Sequence, residues 1–342
     1  MTRALPILGG LTDSFSRRVS YLRVSLTDRC NYRCHYCMPE EGVELAPKSD
    51  VLTFEELERV VRALATLGVR RVRLTGGEPT VRKDLVELVR RLAALGLDDL
   101  AMTTNGQLLG ELAAPLKRAG LTRLNVSVDT LDPARFRLIT RRGDLQAVLD
   151  GIEAARAAGF TGTKLNAVVM GGVNDGEDLA AICRYAWARE LVPRFIEFMP
   201  MSEGALFQPG DFTSAAQIRA RLESAFGPLV ADEGRGVPGV GPARYQRVQS
   251  GEHAGARVGL IAAVTEPFCE TCNRMRLSAT GRLHTCLALD DDVDLRAPLR
   301  GGLSDDELLA RVRDAVAAKK VGHNFSSCGG GGPKKHMVAI GG

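Results

Sequence analysis

Aromatic side chains are scarce in this sequence: one tryptophan, five tyrosines and eleven phenylalanines among 342 residues. A surface that stacks on nucleic-acid bases needs aromatic groups interleaved with a strongly basic patch. With a net charge of only +4 the chain has neither, which excludes a module built to coat DNA or RNA. Long apolar runs are missing as well. No stretch approaches the roughly 18 residues of a membrane-spanning helix, so no membrane partner is expected. The N-terminal MTRALPILGGLTDSFSRR has too short an apolar stretch and the wrong flanks for a secretory signal. A cytoplasmic protein is therefore expected, where thiols stay reduced and clustered cysteines mean metal or catalysis.

Eight cysteines are present, and their placement is uneven. Cys30, Cys34 and Cys37 fall in TDRCNYRCHYCMPE (27–40), while Cys269, Cys272 and Cys286 fall in FCETCNRMRLSATGRLHTC (268–286). In the first set no fourth thiol and no ligand-spaced histidine pair completes a closed tetrahedral site, which structural zinc normally wants. His35, between Cys34 and Cys37, is awkwardly placed to close one. A cubane iron–sulfur cluster has four irons, so three thiolates leave one iron open to a small molecule. The spacing of the second set also admits a zinc knuckle with His284 as fourth ligand. Arg274, Arg276 and Arg282 crowd that interval and favour an anionic substrate instead. Cys183 shares a helical face with Leu179, Ile182 and Ala186 and reads as a core thiol. Cys328, beside four glycines, matches no ligand position.

From residue 20 to 200, β-rich runs alternate with amphipathic helical patterns. The spacing predicts strands at 21–26, 70–74, 99–104, 123–128, 164–169 and 194–199. Thr53 with Glu56 forms a capping box ahead of Leu57, Val60, Val61 and Leu64. Further helices are predicted near 83–95, 107–119, 133–140, 144–158 and 177–190. Six β/α units in series predict a parallel sheet, either doubly wound or a six-unit partial barrel. After Pro209 the rhythm changes: a helix near 213–225, a Gly/Pro-rich loop, strands at 244–249 and 256–263, then the second cysteine set. Ser304 with Glu307 caps a helix to about 320, and the glycine-rich SSCGGGGPKKHMVAIGG is predicted to lack regular structure of its own.

Unusual residues gather where such sheets bind ligands, beyond the carboxyl ends of the strands. The cysteine loop follows the first strand, TGGEP (75–79) the second, TTNG (103–106) the third and SVD (127–129) the fourth; Met199 ends the sixth. Arg23 and Arg73 lie inside otherwise apolar strand patterns, where burial without an anion or carboxylate is costly.

The CxxxCxxC loop followed by Gly76-Gly77-Glu78-Pro79 resembles the radical S-adenosylmethionine (SAM) enzymes. Together with the second triplet, LRVSLTDRCNYRCHYCMP, VRLTGGEPTVRKDL, LNVSVDTLDPARF, RFIEFMP and the terminal IGG, the chain is similar from about residue 11 to 342 to the GTP 3′,8-cyclases of molybdenum cofactor biosynthesis. That resemblance implies an incomplete (βα)6 TIM-type barrel at 1–225 carrying a first 4Fe–4S cluster. It implies a smaller C-terminal domain at 226–342 with a second 4Fe–4S cluster and a Gly-Gly tail. By the same resemblance Cys30, Cys34 and Cys37 hold the first cluster and Cys269, Cys272 and Cys286 the second. Tyr36, Gly77, Ser127 and Met199 contact SAM. Arg23, Arg73, Thr103, Lys164, Arg274, Met275 and Arg276 contact GTP. Arg274 or Arg276 helps to quench the last radical, and Gly341 and Gly342 reach into the active site. A glycine pair can thread a narrow channel; the plainer alternative is a frayed end.

The reaction so implied is radical cyclisation of GTP to (8S)-3′,8-cyclo-7,8-dihydroguanosine 5′-triphosphate. The product goes to cyclic pyranopterin monophosphate synthase, the reductant is not identified, and the chain is a monomer or homodimer. Two other readings compete. A peptide-modifying radical SAM enzyme with auxiliary clusters usually carries more cysteines and has no use for the arginine-rich interval. A redox or nucleic-acid module conflicts with the scarcity of aromatics.

Overall fold

The β-rich runs alternate polar and apolar side chains, and a computed structural model, which describes residues 5, 7, 9–232 and 241–341, shows what each half faces. The first six strands are β1 (Tyr21–Ser25), β2 (Arg71–Thr75), β3 (Asp99–Thr104), β4 (Arg123–Ser127), β5 (Lys164–Val169) and β6 (Val192–Glu197), paired in that order and all parallel. Leu22, Val24, Val72, Leu74, Met102, Leu124, Val126 and Leu165 point to one side of this sheet and join the main apolar core. The opposite parity carries Arg23, Arg73, Thr103, Ser127, Asn166 and Arg194, which line a cavity. Strands buried on both faces are usually apolar throughout. Here the inner face is polar, so the inside of the incomplete barrel is a binding space and not a packed core.

Helices cover the apolar face: α1 (Phe54–Thr66), α2 (Leu85–Ala93), α3 (Leu109–Arg118), α4 (Pro133–Thr140), α5 (Leu145–Ala157) and α6 (Glu177–Trp187). The predicted capping box is present, with Thr53 accepting from Glu56 N and the Glu56 side chain accepting from Thr53 N. Such a cap satisfies two otherwise orphaned donors of α1 and contributes about 1 kcal/mol. Cys183 is fully buried among Val169, Leu179, Ile182 and Phe195, as its helical face predicts.

The remaining strands extend the same sheet at both edges. After α7 (Ala215–Phe226), β7 (Leu229–Ala231), β8 (Arg244–Val248) and β9 (Arg257–Ile261) add beyond β6, with β9 parallel to it. Then β10 (Arg274–Leu277) pairs parallel to β1, and β11 (Arg282–His284) and β12 (Asp292–Asp294) follow antiparallel. The order is β12-β11-β10-β1-β2-β3-β4-β5-β6-β9-β8-β7, and the sheet does not close. Helices α8 (Arg296–Arg300) and α9 (Asp305–Ala317) follow, the latter with its predicted Ser304/Glu307 capping box. The glycine-rich end, predicted to be irregular, includes a last helical turn α10 (Met337–Ile340) with Val338 and Ile340 buried. Among the described residues no helix is long and apolar enough to cross a membrane.

Candidate active site

The loop after β1 is held from two sides. Arg33 N and His35 N donate to the carbonyls of Thr140 and Ile139 at the end of α4, 3.0 Å each, and Arg141 Nη1 reaches the Arg33 carbonyl at 2.9 Å. From the other side Gly77 N donates to Thr27 O (2.6 Å) and Glu78 N to Arg29 O (2.8 Å). A Cβ at Gly77 would overlap the Arg29 carbonyl oxygen and lie 2.6 Å from its carbon; one at Gly76 would lie 2.7 Å from Thr27 O. These glycines therefore let two loops touch, which is a tighter requirement than room for a ligand. The buried Glu78 carboxylate accepts from Thr80 N (3.0 Å), Thr80 Oγ1 (2.5 Å), Thr104 Oγ1 (2.6 Å) and Asn105 N (2.7 Å). Asn105 Nδ2 donates to Asn31 Oδ1 at 2.7 Å, so three strand-end loops form one network.

Burial pushes the Cys30 thiol up to about 11 and Cys37 up to about 12, and raises Cys34 well above the ordinary thiol range. Without metal these are protonated thiols, and binding a cluster must expel their protons. Tyr36 OH donates to Asp129 Oδ2 at 2.9 Å, while Asp129 Oδ1 accepts from Val168 N at 2.8 Å. Burial raises this carboxyl to about 6.

The second triplet has a different electrostatic setting. Burial opposes ionisation of Cys272, but Arg274 and Lys319 outweigh it and bring the thiol down to about 7. Arg274 Nη2 lies 3.6 Å from the Cys272 sulfur. Arg17, paired with Asp13 at 2.6 Å, donates to the carbonyls of Cys269 (2.8 Å), Val321 (2.7 Å) and Lys320 (2.6 Å) and so fixes the start of this loop. His284 does not join the cysteines. It is buried, its Nδ1 lies 3.7 Å from Asp292, and burial with Lys335, Arg276 and Arg282 nearby depresses it to about 3. His35 is exposed and also off the cavity. Among the described residues no three His, Cys, Asp or Glu side chains converge on a single ion.

All six cysteines line one cavity with about 1940 Å³ of empty space, its mouth included. Arg23 is in register with Arg73 on one side and with Arg276 on the other. Paired residues project to the same face of a sheet, so three guanidinium groups form a row across β10, β1 and β2. Burial and then the neighbouring Arg276 and Arg73 lower Arg23 well below the ordinary arginine range; burial and Arg274 bring Arg276 down to about 10. The Arg73 Nε is buried with no hydrogen-bond partner among the described residues. Such a row is costly unless a polyanion neutralises it. The donor set of each triplet is thiol only, in a cavity rich in cations, which fits an iron–sulfur cluster with an open iron better than a closed zinc site.

Comparison with known proteins agrees with this site. Residues 24–186 match the Radical SAM superfamily and residues 192–325 match Molybdenum Cofactor Synthesis C. The chain is 48% identical over 336 residues to a GTP 3′,8-cyclase of Heliobacterium modesticaldum, covering 97% of this chain and 100% of that protein. It is 48% identical over 319 residues to GTP 3′,8-cyclase 1 of Pseudomonas aeruginosa, covering 93% and 94%. The chain belongs to the GTP 3′,8-cyclase family. In fold it resembles Streptococcus suis SuiB, solved with a precursor peptide, at a TM-score of 0.59 and 15% identity, covering 79% of this chain and 60% of that one. Membership in the family and superfamily implies a 4Fe–4S cluster and SAM.

Most residues singled out by sequence in this GTP 3′,8-cyclase family member meet at the cavity: the six cysteines, Tyr36, Gly77, Ser127, Met199, Arg23, Arg73, Thr103, Arg274 and Arg276. Two do not line it. Met275 alternates onto the opposite face of β10 and packs in the apolar core. Lys164 is buried at the start of β5, below the cavity; burial with Arg194, Arg123 and Arg73 nearby depresses it to about 6. Gly341 is buried, and its carbonyl accepts from Arg276 Nη1; Gly342 lies outside the described residues. Sequence reasoning passed over Arg194, which lines the cavity and donates to Asn166 Oδ1 (2.7 Å) and Asn125 Oδ1 (3.0 Å). Its position in RFIEFM carries the same signal as Arg23 and Arg73: an arginine inside an apolar strand. Asp129 and Glu78 stood in recognised motifs, but their partners were not predictable from spacing.

Proposed function

We propose that this chain cyclises GTP to (8S)-3′,8-cyclo-7,8-dihydroguanosine 5′-triphosphate, the first step of molybdenum cofactor biosynthesis. The observation that carries the proposal is the in-register row Arg276–Arg23–Arg73 in the same cavity as two cysteine triplets. In this reading Cys30, Cys34 and Cys37 hold one 4Fe–4S cluster and Cys269, Cys272 and Cys286 the other. Residues 1–225 serve radical generation and residues 226–342 the substrate side. Held by Cys30, Cys34 and Cys37, the first cluster would supply, with SAM, the one-electron radical chemistry that acts at C3′ of GTP.

The chain's own work is orientation and shielding. Arg23, Arg73 and Arg276 grip the triphosphate, whose oxygens guanidinium forks match in pairs, and Thr103 supports them. Tyr36, Gly77, Ser127 and Met199 border the SAM end, with the Tyr36 ring fixed by its bond to Asp129. Arg274 lines the cavity 3.6 Å from the Cys272 sulfur, and Arg274 or Arg276 helps to quench the last radical. The product then passes to cyclic pyranopterin monophosphate synthase in the cytoplasm.

GTP carrying deuterium at C3′ tests the reaction. With reduced, cluster-loaded protein and SAM, 5′-deoxyadenosine should gain one deuterium, and the protein should carry about eight irons. Unlabelled 5′-deoxyadenosine alongside cyclised product would overturn the hydrogen-abstraction step.

Lys164 gives a second expected result. Depressed to about 6, it is mostly neutral at pH 7 in the free protein. A bound triphosphate favours its charged form, so GTP binding should take up a proton above pH 6. Affinity then weakens as pH rises through the window between the free and bound values, and is flat below it. Calorimetry at pH 7 in buffers of different ionisation enthalpy measures the uptake, and Lys164→Met should abolish it.

A further inference from the structure

The run Gly329–Gly332 looks in sequence like a flexible linker, yet the structure threads it through a tight gap. A Cβ at Gly331 would overlap the carbonyl oxygen of Asn324, and one at Gly332 that of Pro200. From there each residue up to His336 is tied down. Pro333 O accepts from Glu203 N at 2.8 Å, and Lys334 N donates to Asp290 Oδ2 at 3.0 Å. Lys335 Nζ pairs with Asp292 Oδ2, with Asp290 Oδ1 at 3.8 Å, and His336 Nδ1 lies 2.7 Å from Ser202 Oγ. The receiving residues Ser202 and Glu203 both adopt left-handed backbone, φ +56° and +53°, which is strained for residues with a Cβ. Past this point Val338 and Ile340 are buried, Met337 lines the cavity, and the Gly341 carbonyl meets Arg276.

We infer that Lys335 and His336, seated on Asp292, Asp290 and Ser202, form a latch that positions the last residues of the chain against Arg276. The inference rests on the GTP-cyclising reading of the site and adds to it the residues that set the tail. The loop carrying Ser202 and Glu203 begins directly after Met199, which lines the cavity. One short segment thus contacts both the SAM end of the cavity and the strap that delivers Gly341 to the arginine row. Local strain at Ser202 and Glu203 is kept because the strap holds it. Lys335 and His336 are positioning residues: neither lines the cavity.

The test compares wild-type protein with Lys335→Ala/His336→Ala, both cluster-loaded. Three quantities are read: irons per chain, 5′-deoxyadenosine formed, and cyclised nucleotide formed per 5′-deoxyadenosine. Release of the latch should leave iron and SAM cleavage near wild type. The yield of cyclised nucleotide per 5′-deoxyadenosine should fall on the order of ten- to a hundredfold, as for a reacting group misplaced by an ångström. Protease should then cut the segment after residue 328 faster. Lys335→Arg, which keeps the pair with Asp292, should restore most of the yield. If the double variant sheds iron, Ser202→Ala carries the test, since it removes one hydroxyl from the latch. An unchanged yield and an unchanged cleavage rate in iron-replete variants overturn the latch. A wild-type protein that makes no cyclised nucleotide overturns the underlying reading instead.

Discussion

Cys272→Ser should halve the iron content, from about eight to about four per chain, while SAM cleavage continues. Cys272 is set apart from the other cavity thiols by its cations: Arg274 and Lys319 overcome burial and bring it down to about 7, against about 11 and about 12 for Cys30 and Cys37. A serine hydroxyl stays protonated in the same field and cannot replace a thiolate ligand. The first triplet lies on its own loop and keeps its hydrogen bonds to α4 and to the Gly-Gly-Glu loop. The arginine row, proposed to grip the triphosphate, is also left intact. On the proposed reading the second cluster serves the substrate side, so cyclised product should fall at least about 100-fold. Iron and sulfide analysis with product quantification checks this. Eight irons with normal product would show that Cys272 is not a ligand.

The second large effect is expected from Gly77→Ala. The added methyl would overlap the Arg29 carbonyl, and its other neighbours are also main chain, Arg29 C at 2.6 Å and Asp28 O at 3.0 Å. Neither side can yield cheaply. Gly77 N is bonded to Thr27 O and Glu78 N to Arg29 O, and Glu78 is locked by four further hydrogen bonds. The two loops must separate by an appreciable fraction of an ångström, which shifts the cysteine loop, and Tyr36 with it, relative to Ser127 and Met199, proposed to border SAM. SAM cleavage should drop by about 100-fold, and stability by about 1–3 kcal/mol, the usual cost of overpacking. Gly110→Ala is the matched control: a Cβ there meets nothing within 4 Å and lies in α3. It should be neutral or stabilise by about 0.4–1 kcal/mol. Thermal melts and 5′-deoxyadenosine yields of the two variants separate the close approach from a general effect of losing glycine.

The parts legible in the sequence are those that depend on near neighbours. Strands β1–β6, β8 and β9 and helices α1–α7 and α9 followed from polarity patterns, whereas β7, β10–β12 and α8 were not predicted, and the capping boxes at Thr53/Glu56 and Ser304/Glu307 formed as their spacing predicts. The glycines of the second motif were noticed, but their reason was not: they touch the cysteine loop, forty-eight residues earlier at Arg29, and no local pattern encodes that contact. His284 stood close enough in sequence to serve as a zinc ligand. Strand alternation and the pairing of β11 with β12 turned it toward Asp292 instead. The tail read as featureless because glycine run and linker look alike in composition; only the strap's close contacts distinguish them.

By itself the sequence determined the number and grouping of the thiols, because ligand sets of this kind lie within one loop and need only short spacings. It also determined which strand positions carry charge, through an alternation that repeats every second residue. Tertiary structure alone decided that Arg276, Arg23 and Arg73 form one row, since that depends on β10 adding beside β1 in one particular register across about 250 residues of chain. It decided equally that both cysteine triplets share one cavity and that the end of the chain returns to it. Those are long-range contacts, set by which faces can be buried together, and no window of sequence contains both partners.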